Sequence, residues 1–200
     1  MRRFIFPLIL LLLVSPRLCA QGRYDSESQV PRYEVGAQFD FNRLSGIGES
    51  GGGFGGRFDF NFDDHFALDA ELTHRQHILL PTTGLPPSPI IGQTNGLFGL
   101  RVGQRVYNGG VFAHARAGFV HFGTSDGVSL LSRRTFTAAE FGGTFETYMG
   151  PVILRLDLGE SIVAYGNAQV TANSLGPPPT LGPLGTRASP IVGLGFAFRF

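Results

Sequence analysis

The last eleven residues, Pro190 to Phe200, constrain this chain more than any other stretch: Val192, Leu194, Phe196, Phe198 and Phe200 take every second position, and Gly193, Gly195, Ala197 and Arg199 fill the places between. Side chains alternate between faces along a strand, so the segment reads as a strand with one wholly apolar face. In a water-soluble sheet the opposite face would meet solvent, and two glycines, an alanine and one arginine are too small or too few in charge for that task. The pattern fits a barrel strand whose apolar side faces lipid and whose small and charged side faces the lumen.

The same period of two recurs in seven earlier segments: Tyr33–Arg43, Phe54–Phe62, Phe66–Arg75, Asn95–Arg105, Val111–Phe122, Thr135–Glu146 and Val152–Glu160. In Tyr33–Arg43, for instance, Tyr33, Val35, Ala37, Phe39 and Phe41 oppose Glu34, Gly36, Gln38, Asp40 and Asn42. The fourth segment keeps its period only if Leu97 faces inward, with Phe98, Leu100 and Val102 outward. Each segment is close to the roughly 9 to 11 residues that a tilted membrane strand needs. The connections alternate in length, long over 44–53, 76–94, 123–134 and 161–189 and short over 63–65, 106–110 and 147–151. Long loops thus gather at one end and tight turns at the other, as in a membrane-spanning up-and-down barrel. Aromatic residues at the segment ends, among them Tyr33, Phe62, Tyr107 and Tyr148 by the turns and Phe41, Phe54, Phe98 and Phe119 toward the loops, mark two interfacial girdles.

At the other end of the chain, Met1-Arg2-Arg3 precedes the apolar run Phe4–Val14, interrupted only by Pro7, and then Ser15 to Ala20. This is the layout of a secretory signal peptide, and its apolar run is too short for a spanning helix, which needs about 20 residues. Cleavage after Ala20 would remove Cys19, the sole cysteine, and with it any disulfide or thiolate ligand. It would also remove Arg2, Arg3 and Arg17, leaving thirteen arginines against fifteen carboxylates, a net charge of −2. The chain contains no lysine and no basic patch, so nucleic acid is not expected as a partner. The expected organisation is a signal peptide over 1–20, a short segment over 21–32 and a single barrel over 33–200.

Taken together, the terminal Phe200 series, the eight alternating segments and Val152-Ile-Leu-Arg-Leu-Asp-Leu-Gly resemble the small bacterial outer-membrane β-barrel proteins of the OmpA/OmpX and porin-like opacity type. The resemblance covers Tyr33 to Phe200. It implies an eight-stranded antiparallel barrel in the outer membrane of a Gram-negative-type bacterium. It further implies that Leu194, Phe196, Phe198 and Phe200 form a C-terminal signal for the barrel assembly machinery.

The inward positions carry the candidate functional residues. An ion-pair network is expected among Arg57, Asp59, Asp69, Glu71, Arg101, Arg116, Glu140, Arg155 and Asp157, with Arg75, Arg105 and Arg199 and with Glu34, Asp40 and Glu146 also inward. Seven arginines would then face eight carboxylates, and a barrel of eight strands is only wide enough for side chains to fill. A charge-paired, plugged lumen is the expectation, and a narrow porin-like channel or carrier for small solutes is the alternative. No catalytic set is expected. His65, His74, His77, His114 and His121 lack the spacing of a metal site, and His121-Phe-Gly-Thr-Ser125 only loosely resembles the His and Ser of lipid-modifying barrels. Asp157 and Glu160 fall on opposite faces of one strand, so they form no shared site. Neither metal nor cofactor is expected. The proline-rich, nearly uncharged loops within 76–94 and 161–189 are the candidates for contact with a surface ligand.

Overall fold

A computed structural model of the protein describes residues 31–43, 50–78, 90–123, 134–168 and 183–200. The segments read as signal peptide, most of 21–32 and the centres of the loops lie outside these residues. Eight strands are present: β1 (Tyr33–Arg43), β2 (Ser50–Asn61), β3 (Phe66–Ile78), β4 (Ile90–Val106), β5 (Gly109–Phe122), β6 (Thr135–Met149), β7 (Val152–Gly166) and β8 (Gly185–Arg199). Every strand pairs antiparallel with its neighbours in sequence, and β1 pairs with β8 to close the barrel. Closure is completed where Tyr33 and Phe200 exchange backbone hydrogen bonds of 3.1 and 2.9 Å. Their rings stack at 5.9 Å beside Phe60 and Phe62.

Period-two patterning fixes which side chains go where. Phe54, Phe98, Leu194, Phe196 and Phe198 are exposed on the barrel exterior, while Arg57, Asp59, Asp69, Arg101 and Glu140 are buried inside it. A soluble protein inverts this arrangement, because apolar surface is favourably removed from water and an unpaired buried charge is costly. Leu97 points inward and Phe98 outward, as the register read from the sequence required.

Strands run farther than the sequence reading placed them. The connection assigned to 76–94 shrinks because β3 continues to Ile78 and β4 begins at Ile90; that assigned to 161–189 shrinks because β7 reaches Gly166 and β8 begins at Gly185. Likewise β2 opens at Ser50 and takes in Gly51, Gly52 and Gly53, which pair with Asn42, Phe41 and Asp40. The physical reason is that a ladder needs only backbone donors and acceptors. It persists where an outward polar residue such as His74 or Glu160 interrupts the apolar alternation, and such an interruption is what the sequence pattern marks.

Several inward glycines answer to backbone proximity. A Cβ at Gly99 would lie 2.0 Å from the Ala115 carbonyl oxygen, and one at Gly118 would lie 1.9 Å from that of Gly96. Neighbouring strands approach so closely there that only glycine fits, so these positions serve the curvature of the wall as well as leaving space for arginine side chains. At the turn between β2 and β3, an Asp63 Oδ1 atom accepts the amides of His65 at 2.7 Å and Phe66 at 2.8 Å. Those two donors hold the exposed Asp63 carboxyl below the usual aspartate range. Between β6 and β7 the turn contains Gly150 at φ 62°, a left-handed conformation natural to glycine.

Candidate functional site: the paired lumen

Inward residues from seven of the strands converge on one network. Arg57 on β2 donates to Asp157 on β7 at 2.7 Å, to Asp59 at 3.3 Å and to Asp69 on β3. Arg116 on β5 reaches Asp69 at 2.7 Å, Glu71 at 3.0 Å and Glu140 on β6 at 2.6 Å. Arg155 on β7 contacts Glu146 on β6 at 2.8 Å, Asp59 at 2.8 Å and Glu34 on β1. Arg101 on β4 contacts Glu146 and, at 3.3 Å, Glu34, and its guanidinium lies 4.6 Å from the centre of the Phe112 ring. All nine residues named for the network from the sequence are buried and face one another across the lumen.

Several further participants belong with these. Glu34 collects Arg101, Arg105 and Arg155, Glu146 bridges Arg101 and Arg155, and Asp40 accepts from Arg75 at 2.9 Å. The Thr144 hydroxyl donates to Asp157 and meets the His114 Nδ1 at 3.0 Å. Arg199 is not part of the network. Its Nε donates to the Gly150 carbonyl at 3.0 Å and its guanidinium lies 4.6 Å from the Tyr148 ring centre, at the turn end. The final inward position of β8 therefore falls at the rim, and the described lumen holds six arginines and eight carboxylates instead of seven and eight. Between the charges, a cavity bounded by Gly36, Gln38, Arg57, Arg155 and Gly195 measures about 10 Å³, room for about one water molecule.

Toward the loops, part of the lumen changes character. Leu97, Val120, Phe122, Phe136, Ala138, Val163, Tyr165, Ala168 and Leu184 form a buried apolar cluster, with Phe136 and Tyr165 rings 5.0 Å apart and Phe122 6.0 Å from Phe136. The sequence reading placed only Leu97 of this set inside. A signal for part of it was available: once Val111 and Phe119 face out, the same alternation turns Val120 and Phe122 in.

The histidines do not converge. His65 lies at a turn with its Nδ1 3.0 Å from the Gly103 carbonyl, His114 is in the lumen, and His74 and His121 face outward beside threonines. Ser125 and the His77 side chain lie outside the described residues. Among the described residues, no three His, Cys, Asp or Glu side chains are grouped to hold a metal ion.

Comparison with solved structures assigns the class. The chain is similar in fold to the outer membrane protein OprG from Pseudomonas aeruginosa, with a TM-score of 0.52 and 12% identity, covering 84% of this chain and 95% of that one. It is also similar to Neisserial surface protein A, with a TM-score of 0.53 and 15% identity, covering 86% and 99%. The fold is that of the small eight-stranded outer-membrane β-barrels. No family model matches the sequence, and no curated protein matches it.

Proposed function

We propose that the chain is a closed outer-membrane barrel with a structural or surface-interaction role and no catalysis, exposing its loops on the side opposite the turns. One observation carries this reading: arginine–carboxylate contacts run from wall to wall, Arg155 on β7 meeting Asp59 on β2 and Glu34 on β1, and Arg57 on β2 meeting Asp157 on β7. Pairing on that scale offsets the desolvation of the charges and crosses the path an ion would take. Purified protein in a planar lipid bilayer should give no steady conductance. Discrete, charge-selective channel events would overturn the reading.

A narrow, cation-selective path for small solutes is the second reading, favoured by the excess of eight carboxylates over six arginines in the described lumen. In either case residues 1–20 act as a cleaved export signal, 21–32 as a short lead-in and 33–200 as the barrel. Leu194, Phe196, Phe198 and Phe200 serve as the signal read by the assembly machinery, supported by their outward, exposed placement. Phe200→Lys should then lower the yield of folded barrel in outer-membrane fractions, and unimpaired assembly would remove that role. The loops within 76–94 and 161–189 are the stretches assigned to a surface ligand.

A further inference from the structure

One row on the barrel exterior is polar. His74 on β3, Thr94 on β4, His121 on β5 and Thr135 on β6 are successive Cα partners across four adjacent strands. They share the outward face with Leu72, Phe98 and Phe119. Each imidazole is tied to the next threonine, His74 Nδ1 to Thr94 Oγ1 at 3.0 Å and His121 Nδ1 to Thr135 Oγ1 at 2.8 Å. When the hydroxyl donates to Nδ1, the ring proton resides on Nε2, which leaves an N–H donor on each ring for a group outside the wall. Gly92 keeps the edge of the His74 ring open: a Cβ there would stand 3.0 Å from Cε1 and 3.4 Å from Nε2.

Directly turnward of this row, one outward step along the strands, lies an apolar groove of about 680 Å³. Gly56, Phe58, Ala70, Leu72, Phe98 and Ala117 are among the residues that line it. Polar donors therefore sit at the head of an apolar trough, and the row itself holds two imidazoles and no carboxylate. An occupant that satisfies both halves is an amphiphile with an anionic, acceptor-rich head.

We propose that this face of β2–β6 binds a phosphorylated membrane lipid, its phosphomonoester accepting a hydrogen bond from Nε2 of His74 or of His121 and one acyl chain lying in the groove. Phosphate accepts from such donors more strongly than a neutral group does, and a choline headgroup covers its phosphate with a cation. The site rests on the outer-membrane reading above, because only a barrel embedded in lipid presents this face to a bilayer.

The test uses the folded full-length chain in detergent micelles containing equal amounts of dioleoyl phosphatidic acid and dioleoyl phosphatidylcholine, with bound lipids counted by native mass spectrometry. Wild type should retain phosphatidic acid in preference by roughly tenfold, the ratio expected from one or two modest hydrogen bonds. The double variant His74→Ala with His121→Ala should bring the ratio near unity, and Ala117→Phe, which fills the groove without touching either histidine, should lower retention of both lipids. Heat-modifiable migration checks that each variant has folded. Equal retention by folded wild type, or a preference that survives loss of both histidines, would overturn the lipid site alone. Displacement of phosphatidic acid by inorganic phosphate at equal concentration would overturn the assignment to a lipid, since the acyl chain would then add nothing to the headgroup chemistry. A wild-type chain that forms no heat-modifiable barrel in micelles or vesicles would defeat both this proposal and the outer-membrane reading.

Discussion

Replacing Arg155 by methionine tests whether the lumen is sealed by paired charge. The side chain is buried and holds carboxylates from three strands: Glu146 on β6 at 2.8 Å, Asp59 on β2 at 2.8 Å and Glu34 on β1. Methionine keeps most of the apolar stem, so the change removes mainly the cation and leaves three carboxylates facing one another. Breaking a buried ion pair by removing one partner costs about 3 to 5 kcal/mol. Arg101 stays within 3.3 Å of Glu34 and 4.0 Å of Asp59 and still contacts Glu146, which places the expected loss at the lower end of that range. We therefore expect Arg155→Met to lower the unfolding free energy by about 3 kcal/mol, read as an earlier urea midpoint with an unchanged slope in phospholipid vesicles. Arg199→Met is the internal reference. Its contacts lie at the exposed rim, and their loss should cost no more than about 1 kcal/mol. Adding Asp59→Asn to Arg155→Met should recover part of the loss, because the two groups are partners. A loss below about 1 kcal/mol for Arg155→Met would refute the argument, since charges already solvated by water in an open pore are insensitive to removal of one partner.

Phe136→Ala should cost about 3 to 5 kcal/mol in the same titration, because it opens a cavity beside Phe122 and Tyr165; a change within 0.5 kcal/mol or so would mean that the loop end of the lumen is not packed. Leu156→Arg puts a cation on the outward face of β7, where about 2 to 4 kcal/mol is expected near the bilayer midplane; wild-type stability would show that this face does not meet lipid. Gly159→Ser, on the inward face, should also be destabilising, since a Cβ there would lie 2.6 Å from the Phe141 carbonyl oxygen; a stability matching wild type would mean that β6 and β7 can part to admit it. Asp63 offers a pH test. Its carboxyl is held below the usual aspartate range by the His65 and Phe66 amides, so its contribution to stability is present above the unfolded-state value of about 3.9 and is lost as pH falls through the folded-state value. The stability gap between wild type and Asp63→Ala should accordingly be present at neutral pH and close on strong acidification, and a gap that persists in acid would assign it to another cause.

Alternation of side chains makes the wall legible in the sequence itself. The span of β1, the inward turn of Leu97 and the burial of Arg57, Asp59, Asp69, Glu71, Arg101, Arg116, Glu140, Arg155 and Asp157 all follow from period two, a local property of an extended chain. The partners were harder to read. Arg155 and Glu34 are separated by 121 positions yet meet because β7 and β1 lie on nearby parts of one closed wall, and closure is a property of the whole barrel.

The remaining differences have similar causes. Arg199 has the parity of a lumenal residue, but the end of β8 at the rim sends it to Gly150 and Tyr148. Phe122, Phe136, Val163 and Tyr165 come from three strands and become a cluster only where those strands curve together toward the loops. Likewise His74 and His121 share an outer row with Thr94 and Thr135 because the registers of three strand pairs align them. Sequence alone thus determined the face of each side chain, since the alternation is written into consecutive residues. Tertiary structure decided height and partnership, since both depend on inter-strand register and on how far each backbone ladder extends beyond the apolar pattern.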